Sequence, residues 1–119
     1  MKAFKIDVEK KLIEQIDLGE HYEEINKHIG SEIFACPYVM EYNDTLYCDD
    51  EGLLKEVKGF FLLDGYPQPL AGNGLIVGCD DEGNSVDAHI DITELNKRVK
   101  FMDLNDAYNW SLAQSYNFN

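Results

Sequence analysis

Residues 3–8, Ala-Phe-Lys-Ile-Asp-Val, carry apolar side chains at even positions, and from residue 18 the period changes, with Leu18, Tyr22, Ile25 and Ile29 spaced four, three and four apart. The first pattern is a strand with one buried face and the second a helix with one apolar stripe. With hairpin-like strand pairs elsewhere in the chain, the combination is read as the α+β class. The reading is a small, mostly antiparallel sheet with one helix at about 18–29 and one or two C-terminal helices. Phe4, Ile6 and Val8 are expected inside, and residues 12–16 return as a second strand after the polar turn Glu9-Lys10-Lys11. Asp17 and Glu20 form a capping-box-like helix start, Lys27 and His28 sit at the negative end of the helix dipole, and Gly30 suits the left-handed position beyond it.

The strand pattern resumes at residues 32–35 and 38–42, with Pro37 marking an edge or bulge. Asn43-Asp44 reads as a tight hairpin turn into Thr45-Leu46-Tyr47-Cys48. Residues 53–63 are apolar enough to pack, residues 65–74 read as loop, and Leu75-Ile76-Val77-Gly78-Cys79 has the continuous apolar character of a buried central strand. Residues 85–90 alternate again. A second helix is expected from about Thr93, capped by Thr93 or Asp91, with Ile92, Leu95, Val99 and Met102 on one side. A third, over 103–113, would use Leu104, Tyr108 and Leu112, with a fraying tail from about 114.

One pentapeptide occurs twice: Cys48-Asp49-Asp50-Glu51-Gly52 returns as Cys79-Asp80-Asp81-Glu82-Gly83. Each copy ends a strand with acids suited to turns and a glycine suited to positive φ, so both read as hairpin loops. Neither has the ligand spacing of an EF-hand calcium loop. Two copies with unmatched flanks do not make a repeat architecture.

Charge sets the functional question. The 23 Asp and Glu against 10 Lys and Arg give −13, divided as −7 over residues 1–60 and −6 over 61–119, so the acidity runs through the chain. Nucleic-acid backbones and anionic membranes repel such a surface, whereas a basic protein is attracted to it. With 45% apolar residues in 119, the chain has enough material for one folded domain over 1–119. Cys36, Cys48 and Cys79 are an odd set without metal-ligand spacing and read as reduced thiols. The absence of a signal-peptide pattern or a long apolar run points to a soluble, cytoplasmic protein.

The motifs of hydrolases, metalloproteases and phosphate-binding loops are absent, and Gly72-Asn73-Gly74 is followed by a strand where a phosphate-binding helix should start. His21, His28 and His89 read as ordinary surface histidines, and Cys36 as a buried thiol with no basic neighbour to activate it. Trp110, with Tyr108 and Tyr116, reads equally as core cover or as an interface anchor. No catalytic, cofactor or metal residues are assigned.

Lys2 to Val8, Ile29-Gly30-Ser31-Glu32-Ile33, Leu46 to Leu54 and Leu75 to Gly83 occur in an order that resembles the domain of unknown function family 3846. The resemblance spans roughly residues 2–90 and implies small phage and mobile-element proteins, with no catalytic residues. Residues 58–69 depart from the short polar stretch expected there.

Three functions compete. The first is a non-catalytic binding or inhibitory protein that meets a basic host or defence protein, or mimics a polyanion, through Asp49, Asp50, Glu51, Asp80, Asp81 and Glu82. The second is a small-ligand or metal-dependent enzyme whose carboxylates are brought together by the two acidic turns with a histidine. The third is a homo-oligomer built on an edge strand or the aromatic C-terminal segment.

Overall fold

In a computed structural model, which describes residues 1–19, 22–52 and 56–116, the alternating N-terminal segment forms β1 (Lys2–Asp7), and β2 (Leu12–Asp17) returns beside it. α1 (Tyr22–Ile29) follows, then β3 (Phe34–Val39), β4 (Thr45–Asp49), β5 (Phe60–Leu63), β6 (Leu70–Ala71), β7 (Gly74–Cys79) and β8 (Ser85–Val86). The chain continues through α2 (Ile92–Arg98), β9 (Val99–Met102) and α3 (Leu104–Tyr116). Every strand pairing among the described residues is antiparallel, and the α+β reading holds. A large sheet runs β2-β1-β7-β4-β3 with β8 added to β7, and a small one runs β6-β5-β9. No helix among the described residues is long and apolar enough to cross a membrane.

The side chains sort into three apolar layers. Phe4, Ile6, Val8, Leu46 and Ile76 from one face of the large sheet pack with Phe61 and Leu63 from the small sheet and with Leu95 of α2. On the other face of the large sheet, Ala3, Leu75 and Val77 meet Leu18, Ile25 and Ile29. Phe60, Ala71 and Met102, on the outer face of the small sheet, meet Ala107 and Trp110 of α3. The order is therefore α1, large sheet, small sheet with α2, α3. β7 is the central strand, and its Leu75, Ile76 and Val77 are fully buried, as their apolar run requires.

Coverage of both faces explains what the alternation of β1 concealed. Phe4, Ile6 and Val8 are inside as expected, but Ala3 and Asp7 are buried too. Asp7 tolerates this because its Oδ1 accepts from Glu9 N (3.1 Å) and Lys10 N (2.9 Å), so its burial leaves no polar group unsatisfied.

Several boundaries differ from expectation. α1 starts at Tyr22 and not at 18: Leu18 N donates to Met1 O, extending the pairing of β1 and β2 by one step, and Leu18 reaches the α1 layer from extended chain. Asp17 is not a cap; it accepts the Met1 amino group at 3.0 Å. Glu20, its expected capping partner, lies outside the described residues. The two expected segments, 32–35 and 38–42, contribute to one shorter edge strand, β3 (Phe34–Val39), with a register shift between Ala35 and Tyr38 that accommodates Pro37. The hairpin turn falls at Glu41–Asn43 and not at 43–44, with Tyr42 (φ 60°) and Asn43 (φ 65°) left-handed, and Asp44 is interior.

Only Ser85–Val86 of the alternating segment 85–90 pairs with β7. The chain then crosses Gly78, where a Cβ would run into the Asp87 carbonyl, and Ala88 N donates to Lys2 O. Asp91 caps α2 through Thr93 N at 2.8 Å, but the helix stops at Arg98. Val99 and Met102, expected on the helix stripe, lie in β9 opposite Leu63 and Phe60. α3 is capped reciprocally, Asp106 N donating to Asp103 Oδ1 (2.7 Å) and Asp103 N to Asp106 Oδ2 (3.2 Å). It runs to Tyr116, past the point where fraying is expected, and Leu104, Tyr108 and Leu112 face outward while Ala107 is buried.

Candidate functional site

The two acidic turns share a local mechanism and different surroundings. Asp49 Oδ1 accepts from Glu51 N at 3.0 Å, and Asp80 Oδ1 accepts from Glu82 N at 2.9 Å and Asn84 N at 2.8 Å. The repeated pentapeptide thus begins the same side-chain-capped turn twice. The second copy closes the β7–β8 hairpin, with Gly83 at φ +85°. The first is not a hairpin loop: β4 pairs with β3 and β7, and the chain beyond Gly52 goes on to the small sheet.

Pairing geometry separates them. β4 and β7 are antiparallel, with Thr45 opposite Val77 and Cys48 opposite Gly74, so β4 ends where β7 begins. Asp49 and Asp80 therefore stand at opposite ends of the sheet, roughly 24 Å apart at the usual rise per residue. No single ion or small ligand can be held by both turns, which removes the enzyme reading that joined them. Asp50, Glu51, Asp81 and Glu82 are exposed, and Asp49 and Asp80 are partly buried. The first turn lines a cleft of about 430 Å³ with Pro37 and Tyr66. Among the described residues, no three His, Cys, Asp or Glu side chains are grouped to hold a metal ion.

A polar constellation that the sequence reading missed is built at the β3–β4 turn. Asp44, its side chain 2% exposed, accepts from His89 N (2.9 Å), Ile90 N (2.7 Å) and His89 Nδ1 (3.0 Å). An ionised carboxylate only accepts, so Nδ1 of a neutral His89 carries the proton and Nε2 is left as the acceptor. The imidazole is half exposed, and its centroid lies 6.4 Å from that of Tyr42, whose ring stands at the tip of the turn, 81% exposed. Arg98 reaches across from α2, with Nη1 2.8 Å from Glu41 Oε2 and Nε 3.5 Å from Glu94 Oε1. The hydrogen bond from Arg98 holds the Glu41 carboxyl below its ordinary range, and the same bond raises Arg98.

These groups border a cleft of about 400 Å³. Its lining includes Glu41, Asp44, Asp91 and Glu94 against Arg98 and His89, a surplus of negative charge, and among the described residues it has no Ser, Thr, Cys or Lys. An oriented imidazole of this kind can accept or donate a proton, and the serine and cysteine nucleophiles that such a base commonly activates are not among the described lining residues. Among the described residues, the other histidine does not join it. His28 belongs to α1, whose C-terminal Ile29 borders Val8 and Asn73 at the far end of the large sheet, and burial lowers its pKa. His21 lies outside the described residues. No local pattern marks Asp44 or His89, because their pairing spans 45 residues.

All three cysteines are free thiols. Cys36 is exposed, contrary to expectation, because it sits on the edge strand β3; desolvation still raises its pKa. Cys48 is buried, and burial pushes it up to about 11, with the Asp49 and Asp50 carboxylates adding to the effect. Neither is poised as a nucleophile.

The family model described as "Domain of unknown function (DUF3846)" matches residues 1–100, and the chain belongs to that family. The match covers the large sheet, α1 and α2 and stops inside β9, so α3 lies beyond it. No curated protein and no solved structure matches the chain.

Proposed function

We propose that this family member is a non-catalytic binding protein that receives a basic protein partner on its acidic surface, in the phage or mobile-element setting implied by its resemblance. The observation that carries the reading is the exposed carboxylate at both ends of the large sheet: Asp50 and Glu51 at one end, Asp81 and Glu82 at the other, none of them in an ion pair among the described residues. Unpaired surface acids in a chain of net charge −13 create a negative potential that speeds encounter with a cationic surface. The Tyr42 ring and the carboxylates bordering the neighbouring cleft add an anchor of the kind enriched at interface hot spots.

The test is capture of host proteins on the immobilised chain near physiological salt and again at about 0.5 M, where exposed charges are screened within a few ångströms. Two variants, Asp50→Asn with Glu51→Gln and Asp81→Asn with Glu82→Gln, divide the surface by end. The expected result is a basic partner that is lost at high salt and weakened by at least one variant. Retention unchanged by salt and by both variants overturns the proposal. A partner displaced by an added polyanion is engaged through its nucleic-acid-binding surface, the polyanion-mimic form of the same reading.

A further inference from the structure

α3 carries three exposed apolar side chains outside the three layers. Leu104, Tyr108 and Leu112 are 71%, 61% and 38% exposed, and they make up three of the seven large exposed apolar residues among those described. Four-residue spacing puts them on one side of the helix, and the intervening positions on that side, Asn105 and Ser111, are uncharged. The opposite side is committed, since Ala107 and Trp110 pack on Phe60, Ala71 and Met102. The stripe is thus held outward on a fixed helix.

We infer that this stripe pairs two copies of the chain about a two-fold axis, α3 against α3 and antiparallel. The sequence of the stripe is symmetrical about Tyr108, with a leucine four residues away on each side. Antiparallel pairing sets Leu104 on Leu112 of the second copy and Tyr108 on its own equivalent, the self-complementary contact that a two-fold interface needs. Charge points to the same occupant. A chain at −13 repels its copy almost everywhere, but the only charged residue of α3 is Asp106, which is folded back onto the Asp103 amide and stands off the stripe. Antiparallel alignment also places the two acidic helix starts at opposite ends, about 20 Å apart for thirteen residues, and opposes the helix dipoles. Three side chains per copy are far fewer than the 20–30 residues a side of a standard interface, so the dimer is weak and concentration-dependent.

Sedimentation velocity over about a 100-fold range of concentration tests the pairing, because dimer fraction follows mass action. The expected result is a monomer–dimer equilibrium that strengthens with added salt, as screening relieves repulsion between copies. Partner capture in the preceding proposal weakens with salt, so the two proposals fail separately. Tyr108→Asp, which sets two like charges face to face, should weaken dimerisation at least tenfold with an unchanged melting temperature, since the position is exposed. Leu104→Lys should weaken it similarly, and Leu104→Lys combined with Leu112→Glu should recover part of the loss, because only antiparallel pairing brings those positions together. A monomer at every concentration and salt overturns the inference. So does a dimer indifferent to Tyr108→Asp, and a double variant no better than the single one refutes the antiparallel register.

Discussion

Replacing Asp44 by alanine removes the acceptor of two backbone amides, His89 and Ile90, and of the His89 ring. Leaving an interior N–H without a partner costs about 1–3 kcal/mol. Two such groups set an upper limit of about 6 kcal/mol, but both border an open cleft where water can replace part of the loss, so about 2–3 kcal/mol is expected. For a chain of 119 residues that lowers the melting temperature by roughly 6–15 °C. Urea titration should show a lower midpoint with an unchanged slope, the signature of lost stability without a change in exposed surface. Asp44→Asn keeps a carbonyl oxygen for one or both amides and should lose about half as much. His89→Ala removes only the half-exposed ring and should cost less than about 1 kcal/mol. The order Asp44→Ala, Asp44→Asn, His89→Ala is the diagnostic. An Asp44→Ala variant within about 0.5 kcal/mol of the parent would falsify the assignment of Asp44 as the clasp between the β3–β4 turn and the segment entering α2.

The Asp80 carboxyl is held below the usual carboxylate range by the backbone amide of Asn84 first, with those of Glu82 and Gly83. A depressed folded pKa means stability that is present above the unfolded value, near 3.9, and is lost as pH falls through the folded one. Asp80→Asn should therefore flatten the acid limb of melting temperature against pH below about pH 4, and an acid limb identical to the parent's would contradict the assignment. Cys48, with its pKa near 11, should hold about 100-fold less thiolate at neutral pH than an ordinary cysteine. In a timed alkylation followed by peptide mass spectrometry it should react last in the native chain and level with the others in denaturant; equal rates in the native chain would contradict its burial.

What the sequence revealed follows from how far apart the interacting residues lie. The central strand was legible because Leu75-Ile76-Val77 is apolar on both faces, a property read within three residues. The edge position of Pro37 was legible because proline lacks the amide that an inner strand must donate. By contrast, Val99 and Met102 fit a helix stripe as well as a strand, and what decides between them is pairing with Phe60–Leu63, some forty residues away. The spacing of Leu104, Tyr108 and Leu112 identified a helix correctly but not its inner face, since the small-sheet surface that receives Ala107 and Trp110 is assembled from β5, β6 and β9. The acidic pentapeptides were legible as turns and illegible as a pair, because their separation depends on the antiparallel register of β4 and β7. Asp44 and His89 were the hardest: an aspartate after an asparagine in a hairpin looks like a turn residue, and only the closed fold turns its carboxylate inward onto a segment 45 residues later.

The two proposed surfaces strengthen one another through geometry. The acidic turns stand at the ends of the large sheet, while α3 lies beyond the small sheet, so pairing through α3 leaves both sets of carboxylates uncovered. A dimer then presents each acidic end twice at a fixed separation. Binding of one end to a multimeric or repetitive basic partner makes the second contact intramolecular, and avidity rises without any new contact. Tyr108→Asp should accordingly weaken capture of such a multivalent partner by more than it weakens capture of a monovalent one, although no substituted side chain touches either. Equal losses would mean that α3 meets the partner directly and that the two surfaces are parts of one interface.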